Sequence, residues 1–192
     1  MRTLPVILAS ASPRRKELLS HIVDEFSVKP ANIDETPFSN ESPSKLVSRL
    51  ATSKAEYVAK KHSGCLVIGS DTVVAINDII LGKPKDFNDF TNMMQMLSNN
   101  THTVYTGVCI FNTSRATRLY LDKVLVTDVT MATIHASDAL SYWQTGEPQD
   151  KAGGYAIQGI GTKFVKSING SFSAVVGLPV YETQQLINEI TE

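Results

Sequence analysis

The sequence predicts a mixed α/β fold, formed by one domain that spans residues 1–192. Apolar runs bounded by turn residues are typical of buried strands, and two Ser-Pro pairs are typical of helix starts. Strands and helices alternate irregularly around a central hairpin at 66–81, which favours a mixed sheet over a uniformly parallel one. No linker rich in Gly, Pro or Ser is visible, so two closely joined lobes without a separable boundary are expected.

Composition excludes several classes of protein. Hydrophobic residues make up 42% and charged residues 19%, as in ordinary globular proteins, which excludes a disordered chain. The net charge of −1 argues against a nucleic-acid surface, which is usually basic. Cys65 and Cys109 lack Cys-x-x-Cys spacing and are expected to be reduced core residues. No apolar run is long enough for a signal peptide or a membrane span, so we expect a cytoplasmic protein without a membrane partner.

The elements of the first half follow from capping signals and periodicity. A strand is predicted at 5–9, and Ser12 with Pro13 then begins a short helix. A second strand is predicted at 26–29, and Ser42-Pro43 begins a long helix that ends near 61. Asp86 is expected to cap a third helix, whose apolar residues recur at helical spacing.

The second half is predicted to contain longer strands. Strands are expected at 103–111 and 118–134, followed by a helix from 137 to 146. Residues 152–161 are glycine-rich and predict a loop or a short strand. A strand at 164–176 and a terminal helix at 179–190 complete the prediction.

The stretch LVIGSDTVVAINDIILGKP places Asp71 within a buried strand. A carboxylate there is costly to desolvate unless it meets a cation or a metal, although a purely structural Asp is the alternative. Asn77-Asp78 is a plausible hairpin turn, and it would place Thr72 opposite Lys83. Lys83 is therefore expected beside Asp71.

Three further cationic side chains are predicted at helix positions where a positive charge is unfavourable. Arg14 and Arg15 would occupy positions N2 and N3 of the first helix, where positive charge opposes the helix dipole. A bound anion would reverse that cost, whereas two solvated arginines on a surface turn are the alternative. Lys54 falls within the apolar stripe of the second helix, so it either snorkels into solvent or meets an anion in a cleft.

These groups together favour an anionic ligand held by cations and by Mg²⁺, in the way that proteins bind phosphate chains. Glu35 is the best second carboxylate, but the sequence alone does not separate it from Asp34 or Glu41. Gln158 carries both a donor and an acceptor, which suits it to reading a base edge.

The chain resembles the Maf family of nucleoside triphosphate pyrophosphatases. The resemblance covers nearly the whole chain and rests on segments that occur in family order: LASASPRRKELL at 8–19, Asp34-Glu35, RLATSKA at 49–55, IGSDTVV at 68–74, GKP at 82–84, HTVYTG at 102–107, TGEPQDKAGGYAIQG at 145–159 and GLP at 177–179.

The resemblance implies a Maf/inosine-triphosphatase-like fold, with a long curved mixed β-sheet, flanking helices and a cleft between two lobes. It also implies hydrolysis of a nucleoside triphosphate between the α and β phosphates, with a divalent cation, Mg²⁺ or Mn²⁺, as cofactor. Family roles carry over to the matching positions of this chain: Ser10, Arg14, Arg15, Lys54 and Lys83 as phosphate ligands, Glu35 and Asp71 as metal-associated acids, Asp71 also as proton acceptor for water, and Thr72 and Gln158 in substrate choice.

Within the family, the AIQG string is similar to the branch that acts on dTTP and UTP, with modified pyrimidine nucleotides as further candidates. The branch that acts on 7-methyl-GTP typically has Glu at the position of Gln158, and it is the alternative within the enzyme class. A nucleotide-binding regulator of cell division is the alternative outside that class. The resemblance also implies a homodimer.

Ser70 and Gly154 depart from the usual family residues, without touching a proposed catalytic group.

Overall fold

The structure, a computed structural model, describes residues 4–114 and 119–192. Within them seven strands form one mixed sheet, which confirms the predicted α/β class. The strands are β1 (Val6–Leu8), β2 (Phe26–Val28), β3 (Leu66–Ile76), β4 (Ile79–Leu81), β5 (Thr101–Asn112), β6 (Leu119–Met131) and β7 (Val165–Asn169). Their order is β2-β1-β3-β5-β6-β7, with β4 paired to β3. The predicted start of the second long strand at residue 118 lies outside the described residues.

The helices begin largely where the capping signals predict. They are α1 (Pro13–Ser20), α2 (Pro43–Ala59), α3 (Phe87–Leu97), α4 (Ala136–Gln144), α5 (Phe172–Val176) and α6 (Val180–Thr191). The hydroxyls of Ser12 and Ser42 and the carboxylate of Asp86 each accept a hydrogen bond from the backbone N–H three residues later. Such caps satisfy donors that have no partner within the helix. Between α4 and β7 the chain forms three short 3₁₀ turns, Glu147–Asp150, Ala152–Gly154 and Ile160–Phe164.

The central hairpin has the predicted turn but a shorter ladder. Asn77 and Asp78 both have positive φ angles, 49° and 63°, as a tight two-residue hairpin turn requires. Ile76 lies opposite Ile79 as expected, but pairing ends at Val74 and Leu81. The register is the predicted one, but the predicted Thr72–Lys83 pair lies beyond the end of the ladder. The carbonyl of Gly82 instead accepts a hydrogen bond from the N–H of Gly153 at 3.0 Å, so the chain after β4 pairs with the segment around Gly153.

The predicted strand at 164–176 is wrong in its second half. Strand β7 ends at Asn169, and Gly170 has a φ angle of 134°, which only glycine adopts readily. The hydroxyl of Ser171 then accepts a hydrogen bond from the N–H of Ala174 at 3.3 Å. This side-chain contact starts a helical turn, α5, in a segment whose apolar run resembles a strand.

The chain divides into two compact units. The first comprises Met1–Asp71, Thr106–Leu125 and Gly177–Glu192. Here α2 packs closely on β3 and β5, because a Cβ atom at Gly69 or Gly107 would overlap the backbone of the helix. This close approach brings polar residues of α2 within reach of the sheet.

The second unit comprises Thr72–Tyr105 and Val126–Val176. Aromatic side chains join α3 to α4 within it. The rings of Phe90 and Trp143 lie 5.0 Å apart, and Phe87 lies 5.9 Å from the same indole. Across the described residues, the helices are all too short or too polar to cross a membrane.

Candidate active site

Asp71 is a buried carboxylate in the middle of β3 and is 7% exposed. Its Oδ1 lies 2.6 Å from the Nζ atom of Lys54 on α2. The sequence predicts that this carboxylate needs a cation, and the structure supplies one from the opposing helix. The close packing at Gly69 explains how Lys54 reaches the strand. The pair is thus a consequence of the α2–β3 interface.

Lys54 joins two carboxylates. Its Nζ atom also lies 2.8 Å from Oε1 of Glu35, and its own side chain is only 9% exposed. The alternative in which Lys54 snorkels into solvent is therefore wrong. Glu35 differs from Asp71 because 56% of its side chain is exposed. The three residues Glu35, Lys54 and Asp71 are called the lysine cluster below.

The structure separates the three acids that the sequence left as alternatives. Each carboxylate oxygen of Glu41 accepts a hydrogen bond from the guanidinium of Arg49, at 2.6 and 2.7 Å. This guanidinium lowers the pKa of Glu41 to about 2. The carboxylate of Asp34 accepts a hydrogen bond from the N–H of Thr36, two residues later, at 2.9 Å. Glu35 is the acid that pairs with the lysine of the cluster.

Arg49 also fixes the loop that carries Glu35. Its guanidinium donates to the carbonyl of Thr36 at 3.1 Å and lies 4.0 Å above the centre of the Phe38 ring. Sequence reasoning gave Arg49 no role, although the RLATSKA segment contains it. A bidentate arginine cannot be recognised until its carboxylate partner is known.

The first helix presents its two arginines differently. The guanidinium of Arg15 donates to the hydroxyl of Ser10 at 3.2 Å and to the carbonyl of Gly177 at 2.9 Å. Burial lowers the pKa of Arg15, and the Asp71 carboxylate acts in the opposite direction. Arg15 therefore lies within electrostatic reach of the lysine cluster. Arg14 is half-buried, and among the described residues its guanidinium has no hydrogen bond or ion pair.

The carbonyl of Gly177 is an anchor that sequence reasoning missed. It accepts from Arg15 and also from the hydroxyl of Ser70, at 3.0 Å. The same hydroxyl lies 2.8 Å from the carbonyl of Gly107. Ser70, noted as a departure from the family pattern, is thus a buried link among three backbone segments of the first unit. The GLP segment was the available signal, but a backbone carbonyl has no sequence signature.

The remaining predicted residues belong to the second unit. Thr72 is half-buried and makes at least one polar contact. Lys83 and Gln158 are exposed, and Gln158 lies in a turn between two 3₁₀ segments. Their proposed roles stay predictions.

The lysine cluster offers two carboxylates as candidate ligands for a divalent cation. Both carboxylates contact one positive group, the ammonium of Lys54. Oxygen ligands of this kind suit Mg²⁺, which is usually held by one or two carboxylates together with phosphates. Residues 4–114 and 119–192 contain no group of three or more His, Cys, Asp or Glu that could hold a metal.

Comparison with known proteins identifies relatives over nearly the full length. A curated protein of Pseudoalteromonas translucida, named dTTP/UTP pyrophosphatase, is 50% identical over 96% of both chains. A protein of the same name from Pseudoalteromonas atlantica is 48% identical over 97% of both chains. Another from Vibrio cholerae is 44% identical over 96% of this chain and 97% of its own.

The solved structure of a HAM1 protein from Coxiella burnetii covers 66% of this chain and 73% of its own. It is 16% identical and has a TM-score of 0.45, a similarity too low to support a statement about function. The family model described as "Maf-like protein" matches residues 5–190. This match and the full-length relatives show that the chain belongs to the Maf family.

Proposed function

We propose that this protein is a nucleoside triphosphate pyrophosphatase that hydrolyses dTTP and UTP to the monophosphate and pyrophosphate. The observation that carries the proposal is the lysine cluster, in which one buried ammonium contacts both Asp71 and Glu35. Membership of the Maf family and the name shared by the curated relatives support the substrate class.

In the proposed reaction, water attacks the α phosphorus in line with the bond to the β phosphate. Asp71 takes the proton from that water, and the α–β phosphoanhydride bond breaks as pyrophosphate leaves with its electron pair. Lys54 orients Asp71 before substrate binds, through the 2.6 Å contact between its Nζ atom and Oδ1 of the carboxylate. Positive groups fixed before the reaction stabilise the developing charge, which is usually the largest part of catalysis.

The phosphate chain has several proposed ligands in this chain. Arg14 offers a guanidinium that has no hydrogen bond or ion pair within residues 4–114 and 119–192, whereas Arg15 and Ser10 form a preorganised pair through their 3.2 Å hydrogen bond. Lys83 is exposed and would add a further cation. A bound divalent ion, held by Glu35 and Asp71, would supply charge neutralisation at the phosphates.

In this proposal, the residues that select the substrate base belong to the second unit. Gln158 is exposed and carries both a donor and an acceptor, so it suits the O4 and N3–H edge that uracil and thymine share. Thr72 is the second proposed residue for substrate choice. Guanine presents a different donor and acceptor pattern, which a glutamate at position 158 would match better than a glutamine.

A panel of triphosphates tests the proposal. With Mg²⁺ or Mn²⁺ present, we expect pyrophosphate release from dTTP and UTP to exceed release from 7-methyl-GTP, GTP, ATP and CTP. Preference for 7-methyl-GTP would assign the protein to the alternative branch. Tight nucleotide binding without hydrolysis would instead support a regulatory protein, and release of orthophosphate would show that another bond is cleaved.

Two broader expectations remain predictions. A cytoplasmic location would suit an enzyme acting on free nucleotides, and cell fractionation would test it. The homodimer implied by the family resemblance would be tested by light scattering at several protein concentrations.

A further inference from the structure

Residues 156–161, called the Gln158 loop below, are held by a carboxylate that sequence reasoning did not single out. The Oε2 atom of Glu147 accepts from the N–H of Ile160 at 2.9 Å, and its Oε1 atom accepts from the N–H of Gly161 at 3.0 Å. A carboxylate that binds two backbone donors fixes their positions more firmly than a neutral acceptor does. The chain that follows Gln158 is therefore anchored to Glu147.

Tyr142 anchors the other side of the same loop. Its fully buried hydroxyl donates to Oε1 of Glu147 at 2.7 Å and accepts from the N–H of Ala156 at 3.0 Å. The ring packs edge-on against Phe164, with centroids 5.4 Å apart. Two backbone segments that flank Gln158 are thus tied to one pair of side chains, Tyr142 and Glu147.

The balance of forces on Glu147 favours the ionised carboxylate. Burial works to raise its pKa, but hydrogen bonds from Tyr142, Ile160 and Gly161 outweigh burial and hold the pKa below its ordinary value. Gly159 approaches so closely that an added Cβ atom would overlap the carboxylate. The loop backbone therefore lies directly against Glu147, without space for a side chain.

We propose that Glu147 is a positioning residue for base selection, because it fixes the backbone on which the exposed Gln158 meets the substrate base. This inference rests on the proposed function and deepens it. Gln158 itself is exposed, so its orientation depends on the backbone that carries it. Selection between bases by hydrogen bonding requires donors and acceptors held in fixed positions.

The first test compares Glu147→Gln with the exposed control Glu189→Gln. The glutamine keeps the shape, but its –NH₂ group cannot accept a hydrogen bond from a backbone N–H. We expect the KM for UTP to rise about tenfold while kcat changes less than twofold, as expected when a charged hydrogen bond that orients a binding group is lost. The ratio of kcat/KM for UTP to that for GTP should fall by about the same factor.

Inorganic tripolyphosphate, which lacks a base, separates positioning from general damage. Its inhibition constant should be unchanged in Glu147→Gln, and the melting temperature should show that the variant is folded. Hydrogen exchange provides a readout that needs no substrate. The amides of Ile160 and Gly161 should exchange faster in this variant and stay protected in Glu189→Gln.

A second variant tests the close approach between Gly159 and the carboxylate of Glu147. Gly159→Ala should reduce UTP selectivity in the wild-type background, because the new methyl group pushes the loop away from Glu147. In a Glu147→Ala background the same change should cost little, since the opposing carboxylate is absent. Additive effects of the two changes would contradict direct contact as the cause.

Three results would overturn the inference. Unchanged exchange at Ile160 and Gly161 would show that Glu147 does not hold the loop. Faster exchange with unchanged selectivity would reduce Glu147 to a structural role. If the wild-type protein releases no pyrophosphate from UTP, the proposed function fails, and base selection fails with it. The wild-type assay distinguishes this last case from the other two.

Discussion

The lysine cluster and the Gln158 loop differ in how their polar groups are satisfied. In the lysine cluster, two carboxylates share one ammonium, and one of them, Glu35, has 56% of its side chain exposed. At the Gln158 loop, the carboxylate of Glu147, which precedes the loop in sequence, accepts hydrogen bonds from one hydroxyl and from two backbone N–H groups. The lysine cluster is thus held by ion pairs between side chains, whereas Glu147 is tied to the backbone.

This difference matches the two tasks proposed for them. Charges that neutralise a phosphate chain must change partners during binding, so ion pairs between side chains suit them. A group that distinguishes bases must keep its position, and backbone hydrogen bonds keep it there. Buried ion pairs are weak evidence for stability because desolvation opposes their attraction. The Asp71–Lys54 pair is therefore better explained by chemistry than by folding.

Asp71→Asn should produce the largest effect. It removes the proposed proton acceptor without changing shape, so kcat should fall by about 10³-fold, in the range typical of a lost general base. Binding of a triphosphate, measured by calorimetry, should persist. The exposed control Asp24→Asn should leave kcat unchanged. Near-normal turnover by Asp71→Asn would remove this residue from the mechanism.

Lys54→Met should destabilise the fold, because it leaves Asp71 buried without its cation. Removing one partner of a buried pair costs about 3 kcal/mol or more in unfolding free energy, measurable by urea denaturation. Adding Asp71→Asn to Lys54→Met should restore part of that loss, since no unpaired charge then remains. If the double variant is no more stable than Lys54→Met, the pair does not control stability.

His102 should make stability depend on pH through the second unit. Its Nε2 atom lies 2.7 Å from the hydroxyl of Tyr155, next to the Gln158 loop, and burial lowers the pKa of His102 to about 4. The unfolded chain protonates this residue near its ordinary pKa of about 6.5. The unfolding free energy should therefore fall by up to about 3 kcal/mol as pH decreases from about 6.5 to about 4.

The control for this dependence is His102→Gln, whose urea unfolding should show a weaker decline over the same pH range. The remaining decline would come from other groups. An equally steep decline in both proteins would assign the pH dependence elsewhere.

Arg49→Ala should have the smallest effect, because it loosens the Glu35 loop without removing a charge of the lysine cluster. The pKa of Glu41 should rise from about 2 toward its ordinary value, measured by carbon-13 NMR titration. We expect a loss of about tenfold in kcat/KM and a higher Mg²⁺ requirement, as the loop loses its bidentate anchor. Lys45→Ala, on the exposed side of the same helix, should change neither quantity. A Glu41 pKa that stays near 2 would contradict the assigned contact.

Much of the fold could be predicted because its signals are local. The Ser12 and Ser42 caps, the Asn77-Asp78 turn and the alternation of elements depend on neighbouring residues, and the structure confirms them. The prediction of a strand over all of 164–176 was wrong because other local signals in that segment were stronger. One glycine and one serine cap, Gly170 and Ser171, outweighed the apolar run.

The site could be predicted only in part. Asp71 was recognisable because a charge within an apolar strand is costly. The separation of Glu35 from Asp34 and Glu41 was not, because it depends on Arg49 and Lys54, which lie on another element. Gly177 and Glu147 were missed because each of their contacts involves a backbone group, which has no sequence signature: the carbonyl of Gly177 meets Arg15, and the carboxylate of Glu147 meets the N–H of Gly161.

The sequence by itself determined the α/β class, the main helix starts and the unusual positions of Arg14, Lys54 and Asp71. Each of these follows from propensity, capping or hydrophobic periodicity over a few residues. Only the tertiary structure decided which carboxylate meets which cation, and which loop is tied to its carboxylate. Those choices are made over a few ångströms between segments far apart in the chain, where packing sets the distance and burial sets the strength of each charge.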